Sequence, residues 1–250
     1  LSGLIFGSFI NVIIYRIPLN LSIINPRSFC PHCKAMIPFY RNIPLISYFI
    51  QLGKCNNCNN KISPIYPAIE LLIAIIFIFS QYNFDYPESI VYILISSILL
   101  TIAIIDYRYY IIPIQLSIGA LIILLPYIIF KSNTIYHVYG MLIGLSYLLF
   151  IFVITWIITK KQPIGLGDIQ LIIILGLWGG PLKILMTIFL AACFGITYWI
   201  ILTMINGYTK NRKLPFGTFL SLSSIIIYSI ELNWDIIYLF NCLCLSNKIA

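Results

Sequence analysis

Six long apolar stretches, at about 65–82, 89–105, 111–130, 136–159, 184–206 and 215–230, set the strongest limit on what this chain can fold into. Each approaches or reaches the roughly 17–25 residues that a helix needs to cross a hydrocarbon layer. In lipid every backbone N–H and C=O must be paired within the chain, and a helix does this segment by segment. Two shorter stretches, 1–16 and 168–182, are read as spans too: residues preceding the first would lengthen it, and Gly176, Gly179 and Gly180 in the second suit close packing in a bundle. The first does not read as a cleavable signal peptide, because Asn11 and Arg16 follow its apolar start and no small-residue cleavage site closes it. A stretch at 236–246, interrupted by Asn241, has the length of an interfacial segment. The expected fold class is therefore an all-α polytopic membrane protein of about eight transmembrane helices. With 61% of residues hydrophobic and 9% charged, the chain as a whole is too apolar for a water-soluble protein and leaves one soluble insert.

The expected organisation has two parts. Residues 1–64 hold the first membrane helix and a polar insert, roughly 18–64, and residues 65–250 form a membrane helical bundle. Basic residues set the orientation, since short cytoplasmic loops are rich in Lys and Arg. Arg16, Arg27, Lys34, Arg41, Lys54, Lys61, Arg108, Lys160, Lys161, Lys210, Arg212 and Lys213 fall on one side, and Lys131, Lys183 and Lys248 on the other. The first side is expected to be cytoplasmic. The net charge of +8 then belongs to a rim that faces the lipid bilayer, with no nucleic-acid partner implied.

Two carboxylates stand at the edges of apolar runs, Asp106 in AIIDYRYYIIP and Asp168 in PIGLGDIQL. An ionisable group near membrane depth is costly and marks function. The predicted topology puts both at the same cytoplasmic level, as a pair sharing a proton requires. An intramembrane aspartyl protease is the expectation, with helix capping by Asp168 as the structural alternative. Gly165 and Gly167 are expected to take φ > 0 or to let backbone approach a substrate beside Asp168. Glu70 is read as a helix-start residue or as a contact to the insert or a bound cofactor. Asn11, Arg16 and Arg41 are read as substrate or cofactor contacts, or as topology anchors, and His137 as interfacial.

Four of the seven cysteines lie in the insert as CPHC (Cys30, Cys33) and CNNC (Cys55, Cys58). Two such knuckles present four thiolates to one tetrahedral ion, so a structural zinc is expected, with His32 turned away from it. Cys193, Cys242 and Cys244 read as packing residues.

These motifs together resemble the type IV prepilin leader peptidases. The likeness rests on GLIFGSFINVIIYRIP, the stretch CPHCKAMIPFYRNIPLISYFIQLGKCNNCNNKISPIYPAIE, the Asp106 segment, GLGD at 165–168, and LPFGTFLSL at 214–222. It implies Asp106 and Asp168 as the catalytic pair and Cys30, Cys33, Cys55 and Cys58 as zinc ligands. It implies cleavage of a basic leader from prepilin or pseudopilin substrates at the cytoplasmic face of the bacterial inner membrane. It also implies N-methylation of the new terminus with S-adenosylmethionine, whose site is expected between the insert and the first two helices, near Glu70 and Arg41. Pro113-Ile114 and Gln170 depart from the family's usual Pro-Asp and lysine. Two rivals remain: an ion-coupled transporter with a zinc-stapled loop, which leaves the insert unexplained, and a non-catalytic assembly factor.

Overall fold

The apolar stretches become helices because their residues pair the backbone locally, and because prolines mark where several of them start. The computed structural model describes residues 1–131, 133–160, 165–208 and 213–230. Its helices are α1 (Ser2–Arg16), α2 (Ile46–Ile50), α3 (Ile65–Asn83), α4 (Glu88–Tyr109), α5 (Ile114–Phe130), α6 (Thr134–Thr159), α7 (Leu166–Asn206) and α8 (Phe216–Ser229). Pro64, Pro87, Pro113 and Pro215 occupy the N-caps of α3, α4, α5 and α8. Proline has no N–H to donate, so a helix starts there at little loss. Pro113 also explains why α5 starts at Ile114 and not at 111. Lys161, Lys210, Arg212 and the stretch 236–246, with Cys242 and Cys244, lie outside the described residues.

The protein is an integral membrane protein in which α1, α3, α4, α6 and α7 are long and apolar enough to cross a bilayer, while α5 and α8 are shorter. The central helix is α4, where Ile95, Leu99, Ile102 and Ile105 are wholly buried. Glycines allow two further helix pairs to meet backbone to backbone. On α1 a Cβ at Gly3 or Gly7 would run into the α3 backbone at Ala74 or Glu70. On α6 a Cβ at Gly140 would overlap the Gly176 carbonyl and Gly180 of α7. Both pairs follow the small-xxx-small spacing of close membrane contacts.

The 41 residues of α7 are two arms, because Gly180 (φ 74°, ψ −174°) breaks the helix just before Pro181. Ile172 on the first arm and Ile184 on the second both reach Gly144 of α6, so the chain turns back on itself at the break. The second arm returns towards the start of α8 and the end of α4, where the Tyr198 ring meets Phe219 and Tyr107. Pro181 cannot donate to the Leu177 carbonyl four residues before it, and His137 Nδ1 fills that place at 2.7 Å. The ring therefore carries its proton on Nδ1. His137 is thus a buried partner of the break, three residues into α6. Cys193 is exposed on the outside of α7 and packs no core. Where α4 begins and α5 ends, Lys131 Nζ meets Glu88 at 2.8 Å, which places those two ends on one side.

His137→Ala should leave the Leu177 carbonyl without a partner and cost about 1–3 kcal/mol. Gly140→Leu should cost more, because α6 would have to leave α7. Thermal unfolding of the purified variants in detergent measures both.

Candidate functional site

Three helix ends converge on Asp106. It lies in the last turn of α4, which closes with Tyr110 in the left-handed conformation. Its carboxylate is buried and reaches the first turn of α8. There Oδ2 accepts the Thr218 backbone N–H at 2.7 Å, a donor that a helix start leaves unpaired, and lies 3.1 Å from the Thr218 hydroxyl. That hydroxyl also lies 3.0 Å from the Ala103 carbonyl. It holds one proton for two acceptors. It can donate to an ionised Asp106, or donate to Ala103 and accept from a protonated Asp106, with no heavy atom moving.

Asp168 stands in the first turn of α7, half-buried, and its Oδ2 accepts the N–H of Gly165 at 3.3 Å. This is half of a capping box, since Gly165 has no side chain to return the bond. The loop between α4 and α5 links the two carboxylates. Ile112 packs on Gly167, next to Asp168, and on Gly217, next to Thr218. Gly165 and Gly167 differ from expectation. Gly165 is extended (φ −74°), and Gly167 lies inside the helix, where a Cβ would strike Ile112. The helix therefore starts at Leu166, and close approach, not positive φ, makes Gly167 small.

The insert after α1 is built from two matching knuckles. In each, the first cysteine's N–H bonds back five residues on (Cys30 to Ala35, Cys55 to Asn60) and its carbonyl accepts from a left-handed residue (Lys34, Asn59). The result brings the sulfurs of Cys30, Cys33, Cys55 and Cys58 within 4.8 Å of one another, a group that could hold a metal ion. His32 is exposed and outside it. The Ala35 N–H and the Asn57 amide hold the Cys33 thiol down to about 6. The Asn60 N–H works the same way on Cys58, but loss of water together with the surrounding thiols outweighs it and pushes Cys58 up to about 11. Four thiols so close share few charges, and a cation would take their protons' place.

Between the insert and helices α1 and α3 lies a cavity of about 240 Å³, lined by Asn11, Arg16, Arg41, Tyr48, Tyr66 and Glu70 among others. Glu70 is five residues into α3 and does not stabilise the helix start. Its Oε2 accepts the Leu45 N–H at 2.8 Å, and Leu45 sits at φ 59°, a strained value for leucine. Arg16 gives its guanidinium to the carbonyls of Ser22, Ile23, Pro26 and Arg27, so it clamps the chain leaving α1. Arg41 lies with both terminal nitrogens within 2.9 Å of the Asn56 side-chain oxygen. Asn11 donates to the Tyr66 carbonyl, and its buried Oδ1 has no partner among the described residues. Gln170 likewise keeps a buried Oε1 without a partner, and Ile114 is exposed at the first position of α5.

The structure brings Asp106 and Asp168 to one site and Glu70 and Arg41 to one cavity. Sequence reasoning passed over Thr218, Gly217 and Ile112. The available signal was Pro215-Phe-Gly-Thr218, which reads as a helix start with a hydroxyl in its first turn. Which carboxylate that start would meet was not visible.

Residues 1–84 match the Bacterial Peptidase A24 N-terminal domain, and residues 93–200 the Type IV leader peptidase family. A "Type 4 prepilin-like proteins leader peptide-processing enzyme" of Escherichia coli O78:H11 (strain H10407 / ETEC) is 33% identical, covering 89% of this chain and 89% of its own. Proteins named "Prepilin leader peptidase/N-methyltransferase" from Bacillus subtilis (strain 168) and Legionella pneumophila are 32% and 29% identical. The alignments cover 90% of this chain in both cases, and 90% and 88% of those proteins. No solved structure gives a significant match.

Thr218→Val keeps the N–H to Asp106 and removes the hydroxyl. It should slow the reaction that the carboxylate pair carries about tenfold and change its pH profile, with KM unmoved. Thr218→Ser should restore both. A valine variant with the parent's rate and profile would show the hydroxyl to be packing alone.

Proposed function

The chain belongs to the type IV leader peptidase family, and on that premise we propose that it removes the short basic leader from prepilin and pseudopilin precursors. The observation that carries this reading is the meeting of Asp106 and Asp168 across the ends of α4, α7 and α8. Asp106 lies three residues from the end of α4 and Asp168 two from the start of α7, so both are within about 5 Å of their helix ends. A precursor whose hydrophobic helix lies in the bilayer would present the bond just before that helix at this depth.

The pair shares one proton. The ionised carboxylate takes a proton from a bound water, which attacks the scissile carbonyl. The protonated carboxyl bonds the carbonyl oxygen and then supplies the proton for the leaving amine. Thr218 keeps Asp106 fixed in either state, and Ile112 with Gly167 and Gly217 sets the spacing. The two arms of α7, the long helices α1, α3, α4 and α6 and the shorter α5 and α8 are read as eight segments crossing the inner membrane, with this site on the cytoplasmic side. That orientation agrees with the exposed Arg108 and Lys160 beside it.

The four cysteines are assigned to one structural zinc. A tetrahedral site with Zn–S of about 2.3 Å needs sulfurs about 3.8 Å apart. Cys30 and Cys58 already stand at 3.9 Å. The insert and the bundle (1–64 and 65–250) are read as its two working parts.

N-methylation of the new terminus is assigned to the cavity beneath the insert. S-adenosylmethionine supplies an electrophilic methyl group when bound. The orphaned Asn11 Oδ1 fits a ligand N–H, and the hydrogen-bonding groups of Arg41, Tyr48 and Tyr66 suit a polar donor molecule. Glu70 holds the cavity wall through Leu45.

Incubation with a short prepilin in detergent, with mass spectrometry separating leader loss from an added methyl group, tests both activities. Asp106→Asn and Asp168→Asn should each lower cleavage at least a thousandfold while the protein still inserts in membranes. Near-normal processing in either would remove the pair from the mechanism. Asp168→Asn should still methylate a pre-cleaved subunit, whereas Arg41→Ala should cleave normally and methylate at least tenfold more slowly. Elemental analysis should find about one zinc per chain, and Cys55→Ser should lose it and open the insert to proteolysis.

A further inference from the structure

The short helix α2 is amphipathic in the wrong sense for water. Ser47, Tyr48 and Gln51 turn inward to line the cavity, and Ser47 is buried with its hydroxyl oxygen accepting from the Ile43 N–H. Ile46, Phe49 and Ile50 occupy the opposite face and are 54%, 68% and 77% exposed, and Leu52, two residues on, is 84% exposed. No charged residue interrupts this surface between Ile43 and Gly53. A helix that hides its polar side and displays its apolar side is stable only against an apolar medium.

Depth decides what that medium is. The 19 residues of α3 span about 28 Å, close to the thickness of the hydrocarbon layer, so Ile65 marks one edge of that layer. Glu70 lies five residues, or about 7 Å, inside this edge. The Leu45 N–H at the start of α2 bonds the Glu70 carboxylate, which its side chain carries back towards Ile65, so α2 begins at the level of the membrane edge and not clear of it. We propose that α2 is a monotopic, lipid-embedded helix: Ile46, Phe49, Ile50 and Leu52 lie among the acyl chains of the leaflet, and the insert is seated in the membrane. The lipid then forms the outer wall behind the cavity's polar lining. The exposed Lys54 follows Leu52 by two residues and can extend its ammonium to the phosphate headgroups. This inference rests on the depth of Glu70 and stands independently of which reactions the protein carries.

The test places a benzoyl-phenylalanine photocrosslinker at position 49 or 50 of the full chain, changes close enough in shape to leave the fold intact. A third variant carries it at Arg27, an exposed residue of the insert that faces water on this reading. The variants are reconstituted in vesicles of phosphatidylethanolamine and phosphatidylglycerol, irradiated, and analysed by mass spectrometry. Phospholipid adducts at positions 49 and 50 should exceed those at 27 at least tenfold. Equal yields at the three positions would overturn the proposal. So would adducts at 49 and 50 that form only with an added prepilin segment, since the face would then be a docking surface for the substrate's own apolar helix.

Discussion

Backbone groups that a helix cannot pair for itself are intolerable in lipid, and four of the costliest polar side chains of this protein sit where such groups occur. The start of α8 leaves the Thr218 N–H, which Asp106 accepts. The start of α7 leaves the Gly165 N–H, which Asp168 accepts. The start of α2 leaves the Leu45 N–H, which Glu70 accepts. The break at Pro181 leaves the Leu177 carbonyl, to which His137 donates. Each costly side chain is retained by a backbone group that would otherwise be costly itself.

This pairing explains why the two carboxylates proposed for catalysis stand at helix ends. In a helix interior the backbone offers a carboxylate no donor, and lipid offers none either. A helix start offers N–H groups and a favourable dipole, and it lies near enough to the surface for water and a peptide to arrive. Asp106 gains this from α8 although its own helix ends beside it, which is why the approach of α8 matters more than the sequence around Asp106. Gly217 permits that approach, since a Cβ there would press on the carboxylate and on Ile112.

Much of the architecture was readable. The apolar stretches predicted the helices within a few residues, and the separate stretches 168–182 and 184–206 anticipated the two arms of α7. The two Cys-x-x-Cys knuckles foretold the sulfur cluster because a knuckle is local, closed by hydrogen bonds spanning five residues. For Arg16, Glu70 and His137 no partner could be named, although contact with the insert was among the readings of Glu70, and the reason is common. Their partners are backbone carbonyls or N–H groups far away or in irregular chain, and backbone is the same at every position, so no residue type announces it.

What the sequence by itself determined is the class of structure and the inventory of chemistry: apolar helices, two carboxylates at one membrane level, and four thiols at metal-binding spacing. These follow from hydropathy, local hydrogen bonding and short spacings, which act over a few residues. Only the tertiary structure decided that Thr218, 112 residues from Asp106, would hold it, and that Ile112 would set Asp168 beside it. It alone decided that Glu70 would hold the start of α2, with the apolar face of that helix outward. Those outcomes depend on which helix ends meet, and helix ends meet where glycines let backbones touch, a property of pairs of segments and not of either one.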